Sequence, residues 1–208
     1  MGNLYTNIVL KGPGRAKVCE LLGHLGRGAC VAPTVNGYTV VFDRACEDQD
    51  KATQYKVSKT LSRSLKCTAI TFLNHDDDVL WYCLYDAGKR IDEYDSNPEF
   101  GDFIFFHLLN LRPRTRPPGP PSGGDASKMC KAFDVLDSTD VVESVLRRPG
   151  GRDGYLTAYL RHKDLATALR LPACTVGFGY TSLNKTEQPE WFFRAGELDP
   201  AQLIWVGR

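Results

Sequence analysis

The sequence predicts an α+β fold: a ferredoxin-like antiparallel sheet with two helices, extended by an acidic β-hairpin, plus a mainly helical C-terminal part. Three observations predict it. Residues 3–73 alternate between the hydrophobic periods of strands and helices in the order β-α-β-β-α-β. Two further strand-like runs flank a turn at residues 86–89. A proline-rich stretch then separates these runs from helical patterns.

The first unit is predicted from hydrophobic spacing and from one turn motif. Its elements are a strand, a helix, a hairpin, a second helix and a final strand, over residues 3–10, 18–25, 29–43, 48–65 and 67–73. The first helix has apolar residues at the offsets of one helical face, at Val18, Leu21, Leu22 and Leu25. The hairpin is predicted by Asn36-Gly37, because these residues tolerate the positive φ angles of a two-residue turn.

The acidic hairpin is predicted within "NHDDDVLWYCLYDAGKRIDEYDS", residues 74–96. A two-residue loop at Ala87-Gly88 predicts a register that pairs Tyr85 with Arg90. In that register one face of the hairpin carries Trp81, Cys83, Tyr85, Arg90, Asp92 and Tyr94. The other face carries Leu80, Tyr82, Leu84, Ile91, Glu93 and Asp95. Because the first strand is apolar on both faces, we expect it to be central in the sheet or covered on both sides.

A proline- and glycine-rich segment, residues 111–127, divides the predicted domains. It has almost no apolar residues, so we expect an exposed, extended linker. The linker separates an α+β sheet domain, residues 1–110, from a mainly helical C-terminal part, residues 128–208, that packs back on the first. Within the C-terminal part the patterns predict helices and, at "ACTVGFGY", a strand.

The cysteine pattern predicts the compartment. Seven cysteines are an odd number, and they contain no C-x-x-C pair, which indicates buried, reduced thiols in a cytoplasmic protein. The sequence begins without a secretory signal, and no apolar run approaches the length that spans a bilayer. We therefore expect a soluble protein with no membrane partner and no cofactor. The sequence leaves the oligomeric state open.

Acidic residues dominate the hairpin region. Residues 75–102 contain nine acids against two bases, Lys89 and Arg90. This segment repels phosphate backbones, so we expect no nucleic-acid partner, whereas a basic protein partner fits the same field. The first hypothesis is a non-enzymatic binding or regulatory protein that uses its acidic hairpin edge and exposed tyrosines. The predicted binding residues are Asp76, Asp77, Asp78, Tyr82, Glu93, Tyr94 and Asp95.

The alternative hypothesis is a metal-assisted hydrolase or phosphotransfer enzyme. Carboxylates suit Mg²⁺ or Ca²⁺, and the predicted ligands are His75, Asp76, Asp78, Asp92 and Asp95. The spacing lacks the glycine and the terminal glutamate of an EF-hand, and no motif elsewhere names a reaction. The sequence therefore assigns no catalytic residue and leaves the enzyme question open. The histidines His107 and His162 are expected in the core.

Three stretches carry a resemblance: "GNLYTN", "LNHDDDVLWYCLYDAGKRIDEYDS" and "LATALRLPACTVGFGY". Together they resemble a group of uncharacterised bacterial proteins of similar length, and the resemblance spans most of the chain. It implies a bacterial, cytosolic setting. It brings no activity and no catalytic residue to this chain, because no activity is known for that group.

Overall fold

The computed structural model describes residues 2–100, 119–184 and 198–207. Within these ranges the chain forms one eight-stranded antiparallel sheet and six helices. The prediction of an antiparallel sheet in a mixed α and β protein is confirmed. The proposed boundary at residue 110 and His107 lie outside the described residues, and the division into domains stays a prediction.

The strands and helices are numbered in chain order. Strands β1 to β8 span Tyr5–Lys11, Ala29–Val31, Tyr38–Asp43, Thr68–His75, Val79–Asp86, Lys89–Asp95, Ser122–Gly123 and Ile204–Val206. Helices α1 to α6 span Arg15–His24, Lys51–Leu65, Ala126–Phe133, Thr139–Arg147, Ala158–Ala168 and Tyr180–Asn184. Across the sheet the strands lie in the order β7-β6-β5-β4-β1-β3-β2-β8. The acidic hairpin is formed by β5 and β6, which extend the sheet beyond β4.

Local sequence signals account for the turn before β3 and for the start of α2. Val35 pairs with Tyr38 across a turn in which Asn36 and Gly37 have φ angles of 50° and 80°. These positive angles are the ones that the Asn-Gly pair predicts. Helix α2 begins after Asp50, whose carboxylate accepts hydrogen bonds from the first backbone N–H groups of the helix.

Helices cover both faces of the sheet. Alternate residues of β1 divide between them: Ile8 packs in the core under α1 and α2, and Val9 packs in the core under α3 to α6. The alternate residues of β5 are buried on both faces in the same way. This burial explains why β5 reads as an unbroken apolar run, and it confirms that the strand is covered twice.

Two features of the C-terminal half differ from the expectation. Helix α3 begins at Ala126, and β7 pairs with β6, so residues 122–123 and 126–127 belong to regular structure within the range assigned to a linker. Residues 111–118 of that range lie outside the described residues. The predicted strand at 173–180 is instead a short 3-10 turn at Ala173–Thr175 followed by a bend, because Gly177 has a φ of 86° that interrupts an extended chain.

Candidate functional site

Three aspartates form the turn between β4 and β5. Asp76 and Asp77 have φ angles of 51° and 63°. Aspartate tolerates this left-handed conformation better than most residues, so the turn itself accounts for two of the three. The N–H group of Asp78 closes the turn by donating to the carbonyl of His75 at 3.0 Å. The residues 76–78 are called the acidic turn below.

The first two aspartates hold other segments in place. Asp76 Oδ1 accepts from the backbone N–H of Gly2 at 2.7 Å. Asp77 accepts from the backbone N–H of Asn3 at 3.1 Å and from its side-chain Nδ2 at 2.9 Å. The carbonyl of Asp77 accepts from the N–H of Ala158, the first residue of α5, at 2.7 Å. The acidic turn is therefore hydrogen-bonded both to Gly2 and Asn3 and to the first residue of α5.

Asp78 differs from its two neighbours. Its side chain is exposed and makes no hydrogen bond or ion pair within the described part of the chain. Partial burial raises the pKa of Asp78, and the negative charge of Asp76 raises it further. Asp78 is thus the carboxylate of the acidic turn that remains open to another molecule.

A chain of hydrogen bonds runs from the acidic turn into the core. Asn74 Nδ2 donates to Asp77 Oδ1 and to the Tyr5 hydroxyl, each at 3.3 Å. The Tyr5 hydroxyl in turn forms a hydrogen bond with His162 Nδ1 at 2.8 Å. His162 is fully buried, and burial lowers its pKa to about 3, so the ring is neutral. The core position expected for His162 is confirmed, and its Nε2 has no partner among the described residues.

The register of the acidic hairpin differs from the predicted one because β6 contains a β-bulge. Tyr85 pairs with Arg90 as predicted, but Leu84 pairs with Asp92, so Ile91 is the extra residue. One extra residue reverses the face of every residue that follows it. The predicted faces of residues 92–95 are therefore wrong.

Glu93 consequently lies on the α2 side of the sheet. Its carboxylate accepts from Trp81 Nε1 at 3.0 Å and from the hydroxyl of Tyr55. Arg90 Nη1 donates to its other oxygen at 2.9 Å. These three donors give Glu93 a stabilising role in place of the binding role predicted for it.

Asp92 and Asp95 are also engaged within the protein. Asp92 Oδ2 accepts from the Tyr82 hydroxyl at 2.7 Å and from the backbone N–H of Asp125 at 2.9 Å. Asp95 Oδ2 pairs with Lys51 Nζ at 2.9 Å. The edge carboxylates of β6 therefore hold β6 to α2 on one face and to the start of α3 on the other.

The two tyrosines predicted to contact a partner are core residues. Tyr82 and Tyr94 are exposed by only 0% and 1%, and their rings stack with centroids 5.3 Å apart. The bulge places Tyr94 on the same face as Tyr82, where the two rings can stack. Neither ring is accessible to a partner.

The residues of the alternative metal site do not converge. His75 Nδ1 bonds to the side chain of Gln49, and its ring packs edge-on against Phe100 at 5.5 Å. Asp92 and Asp95 lie on opposite faces of β6. In the described ranges, no three side chains of His, Cys, Asp or Glu are grouped so that they could hold a metal ion.

The cysteines are free thiols, as predicted, and all but Cys19 are buried. Burial raises the pKa of Cys83 to about 12. A thiol with that pKa is protonated at neutral pH and is not nucleophilic. Cys83 therefore packs as an apolar residue in the core.

A small cavity lies behind Asp78. Its volume is about 70 Å³, and it is bounded by the acidic turn, by Ser96 and Asn97 after β6, and by the first turn of α5. Arg161 of α5 forms one wall. The cavity thus has an exposed carboxylate on one side and a guanidinium on another.

Arg161 is only 2% exposed, although it carries a charge. Its Nη1 donates to the carbonyl of Val145 at 2.7 Å and to the hydroxyl of Tyr94 at 2.9 Å. Val145 belongs to the last turn of α4, where unpaired carbonyls stabilise a cation. The guanidinium also stacks over the ring of Tyr155, with Cζ 4.6 Å from the centroid. Burial lowers the pKa of Arg161.

Sequence reasoning did not identify Arg161, although a signal exists. In the helical period, Arg161 shares a face with Ala158 and Leu165, which are both buried. A charged residue on the apolar face of a helix is rarely buried without a partner. The spacing therefore predicts that Arg161 is buried with a partner.

The far end of the acidic hairpin is basic. A groove of about 480 Å³ separates the β5–β6 turn from α3, and its charged lining residues are Asp86, Lys89, Arg90, Lys128 and Lys131. Arg90 and Lys128 are paired with carboxylates. Lys89 and Lys131 form no ion pair with any described residue. The hairpin therefore has an acidic end and a basic end.

Comparisons with known proteins identify no relative of this chain. No protein-family model, no curated protein and no solved structure matches this chain. The resemblance to uncharacterised bacterial proteins stays a prediction. None of the helices in the described ranges has the length and hydrophobicity needed to cross a bilayer.

Proposed function

We propose that this chain is a non-enzymatic binding or regulatory protein that receives a basic partner at the acidic turn. The observation that carries the proposal is Asp78, an exposed carboxylate without a hydrogen bond or ion pair to any described residue. Asp76 lies beside it and is also exposed. Two such carboxylates create a local negative field, which attracts cationic partners and speeds their approach.

The proposed surface is smaller than the one predicted from the sequence. Glu93 accepts from Tyr55 of α2, and Asp95 pairs with Lys51 of α2. Asp77 accepts from Asn3 and Asn74. Tyr82 and Tyr94 are buried. The remaining contact residues are Asp76 and Asp78.

Association with an oligolysine peptide tests the proposal. The double variant Asp76→Asn/Asp78→Asn should slow association at low salt by about threefold or more, and high salt should remove the difference. A matched control is Glu20→Gln/Asp140→Asn, which removes two exposed carboxylates from α1 and α4. Equal slowing in both variants would mean that net charge, and not the acidic turn, attracts the peptide.

The second candidate is the metal-assisted hydrolase or phosphotransfer enzyme. The observation in its favour is the pair of exposed carboxylates close to His75. A calorimetric titration with Mg²⁺, Ca²⁺ and Mn²⁺ separates the candidates. Micromolar affinity that is lost in Asp78→Asn would replace the binding proposal with the enzyme.

We also infer the finer architecture and the compartment. The order β4-β1-β3-β2, with α1 and α2 on one face, supports a ferredoxin-like unit that the acidic hairpin extends. Helices α3 to α6 support a mainly helical C-terminal part. The free, buried thiols support a cytoplasmic setting.

A further inference from the structure

We propose that the cavity behind Asp78 binds a small zwitterion, a molecule with a carboxylate and an ammonium group one or two carbons apart. The cavity shares Asp78 with the surface proposed for the basic partner, so the zwitterion and the basic partner would compete for that carboxylate. Three properties of the cavity carry the proposal: an incompletely bonded guanidinium, a free carboxylate away from it, and a small volume.

The guanidinium of Arg161 supplies the site for the carboxylate. Both of its hydrogen bonds leave from Nη1, so Nε and Nη2 have no partner among the described residues. The side chain is more than nine-tenths buried and lines the cavity. Arg148 adds a second positive charge nearby, since it stacks over the ring of Tyr155 at 5.3 Å. Nε and Nη2 are not among the buried atoms that lack a partner, so solvent in the cavity reaches them, and a carboxylate matches the planar geometry of guanidinium.

The first turn of α5 reinforces the positive wall. Helix α5 starts at Ala158, and both Thr157 and Ala158 line the cavity. The N–H groups of Ala158 and Leu160 are already bonded to Asp77 and Thr157, so the helix end contributes only its partial positive charge, which favours a negative group in the same space. Arg161 and the helix end therefore act in the same direction.

Asp78 supplies the site for the ammonium group. Asp78 and Arg161 both line the cavity, and no carboxylate of the described residues forms an ion pair with Arg161. Asp77 also lines the cavity, but its oxygens are occupied by Asn3 and Asn74. A simple anion would be repelled by Asp78, and a simple cation by Arg161. A zwitterion makes both attractive contacts.

The volume limits the size of the ligand. A water molecule needs roughly 10–15 Å³ of cavity space, so a cavity of about 70 Å³ has room for several water molecules or for one small ligand. The side-chain amide of Asn97 is a further polar group without a partner among the described residues. Glycine is the simplest molecule with the required charges and size.

Three probes test the two halves of the site on the wild-type protein. Glycine, acetate and methylammonium are titrated separately, and binding is followed by backbone amide shifts in nuclear magnetic resonance spectra. We expect saturable glycine binding with shifts at Asn97, Ala158 and Arg161, and binding of acetate and methylammonium about tenfold weaker or more. Absence of saturable glycine binding would overturn the proposal. Acetate that binds as tightly as glycine would overturn the zwitterion in favour of a plain anion site.

Two single variants provide the matched comparison. Asp78→Asn should weaken glycine binding by about fivefold or more, because it removes the partner of the ammonium group. Asp76→Asn removes a neighbouring exposed carboxylate that does not line the cavity, and it should change the affinity by less than about twofold. Equal losses would overturn the proposal, since a diffuse negative field would then explain the binding. The outcome is separable from oligolysine association, which depends on both aspartates.

Discussion

The β6 strand and the acidic turn are both acidic parts of one hairpin, but their carboxylates behave differently. Glu93 accepts hydrogen bonds from three side chains, whereas Asp78 accepts none from the described residues. Strand β6 lies near helices on both faces, so donors are within reach of each carboxylate. The turn lies at the end of the sheet, where Asp78 meets solvent. A run of acids therefore identifies a binding surface only after the strand register is known.

The largest effect expected at neutral pH comes from removing a strand carboxylate. Glu93→Ala leaves the Trp81 N–H and the Tyr55 hydroxyl without their acceptor, so the free energy of unfolding should fall by about 3 kcal/mol. Urea denaturation measures the change. Asp78→Ala serves as the control and should alter stability by less than about 0.5 kcal/mol. Similar losses in both variants would remove the distinction between strand and turn.

A second effect concerns acid and the chain of hydrogen bonds that reaches Asp77. The pKa of His162 is lowered to about 3 in the folded protein, so only the unfolded protein takes up this proton below about pH 6.5. The contribution of neutral His162 to the free energy of unfolding is fully present above pH 6.5. It should fall by about 1.4 kcal/mol per pH unit as the pH is lowered from 6.5 to 3. Denaturation at several pH values should show a smaller slope in His162→Phe. An unchanged slope would show that His162 is protonated in the folded state.

Within the acidic turn, the middle aspartate should matter more for stability than the first. Asp77→Ala removes the acceptor of Asn3 and Asn74 and should cost about 1.5 kcal/mol. Asp76→Ala removes one exposed bond to Gly2 and should cost less than about 1 kcal/mol. Thermal unfolding shows which of the two variants is less stable. A greater loss of stability in Asp76→Ala than in Asp77→Ala would contradict the stabilising role of Asp77.

The smallest effect is expected at the half-exposed ion pair of Asp95 with Lys51. Asp95→Asn should reduce the free energy of unfolding by less than about 1 kcal/mol, because pairs of this kind gain little in water. High salt should reduce the difference from the wild type. A loss as large as that of Glu93→Ala would place Asp95 among the buried acceptors.

Much of the fold follows from patterns that are local in the sequence. The Asn36-Gly37 turn is such a case, because positive φ angles depend on residue type. The burial of β5 on both faces follows from its unbroken apolar run. The cysteines were correctly expected to be free, because an odd, scattered set does not predict a disulfide framework.

The remaining features of the fold and the site depend on a β-bulge and on contacts between distant segments, which local sequence patterns do not predict. A single bulge at Ile91 exchanged the faces of Glu93 and Tyr94, and alternation of residue types does not reveal where a bulge occurs. The wall that Arg161 forms opposite the acidic turn requires α5 to return to the β4–β5 end of the sheet. The basic groove likewise joins the β5–β6 turn to lysines of α3. These juxtapositions are set by tertiary packing.

The central claim is that the bulge turns Glu93, and not Asp92, to the face of Trp81. The indole Nε1–H resonance of Trp81 in a proton–nitrogen correlation spectrum, assigned with Trp81→Phe, reports this contact directly. We expect a large shift of this resonance in Glu93→Gln and little change in Asp92→Asn, because the indole donates to Glu93 at 3.0 Å. A large shift in Asp92→Asn with none in Glu93→Gln would indicate that β6 pairs with β5 in the regular register. That result would contradict the bulge at Ile91.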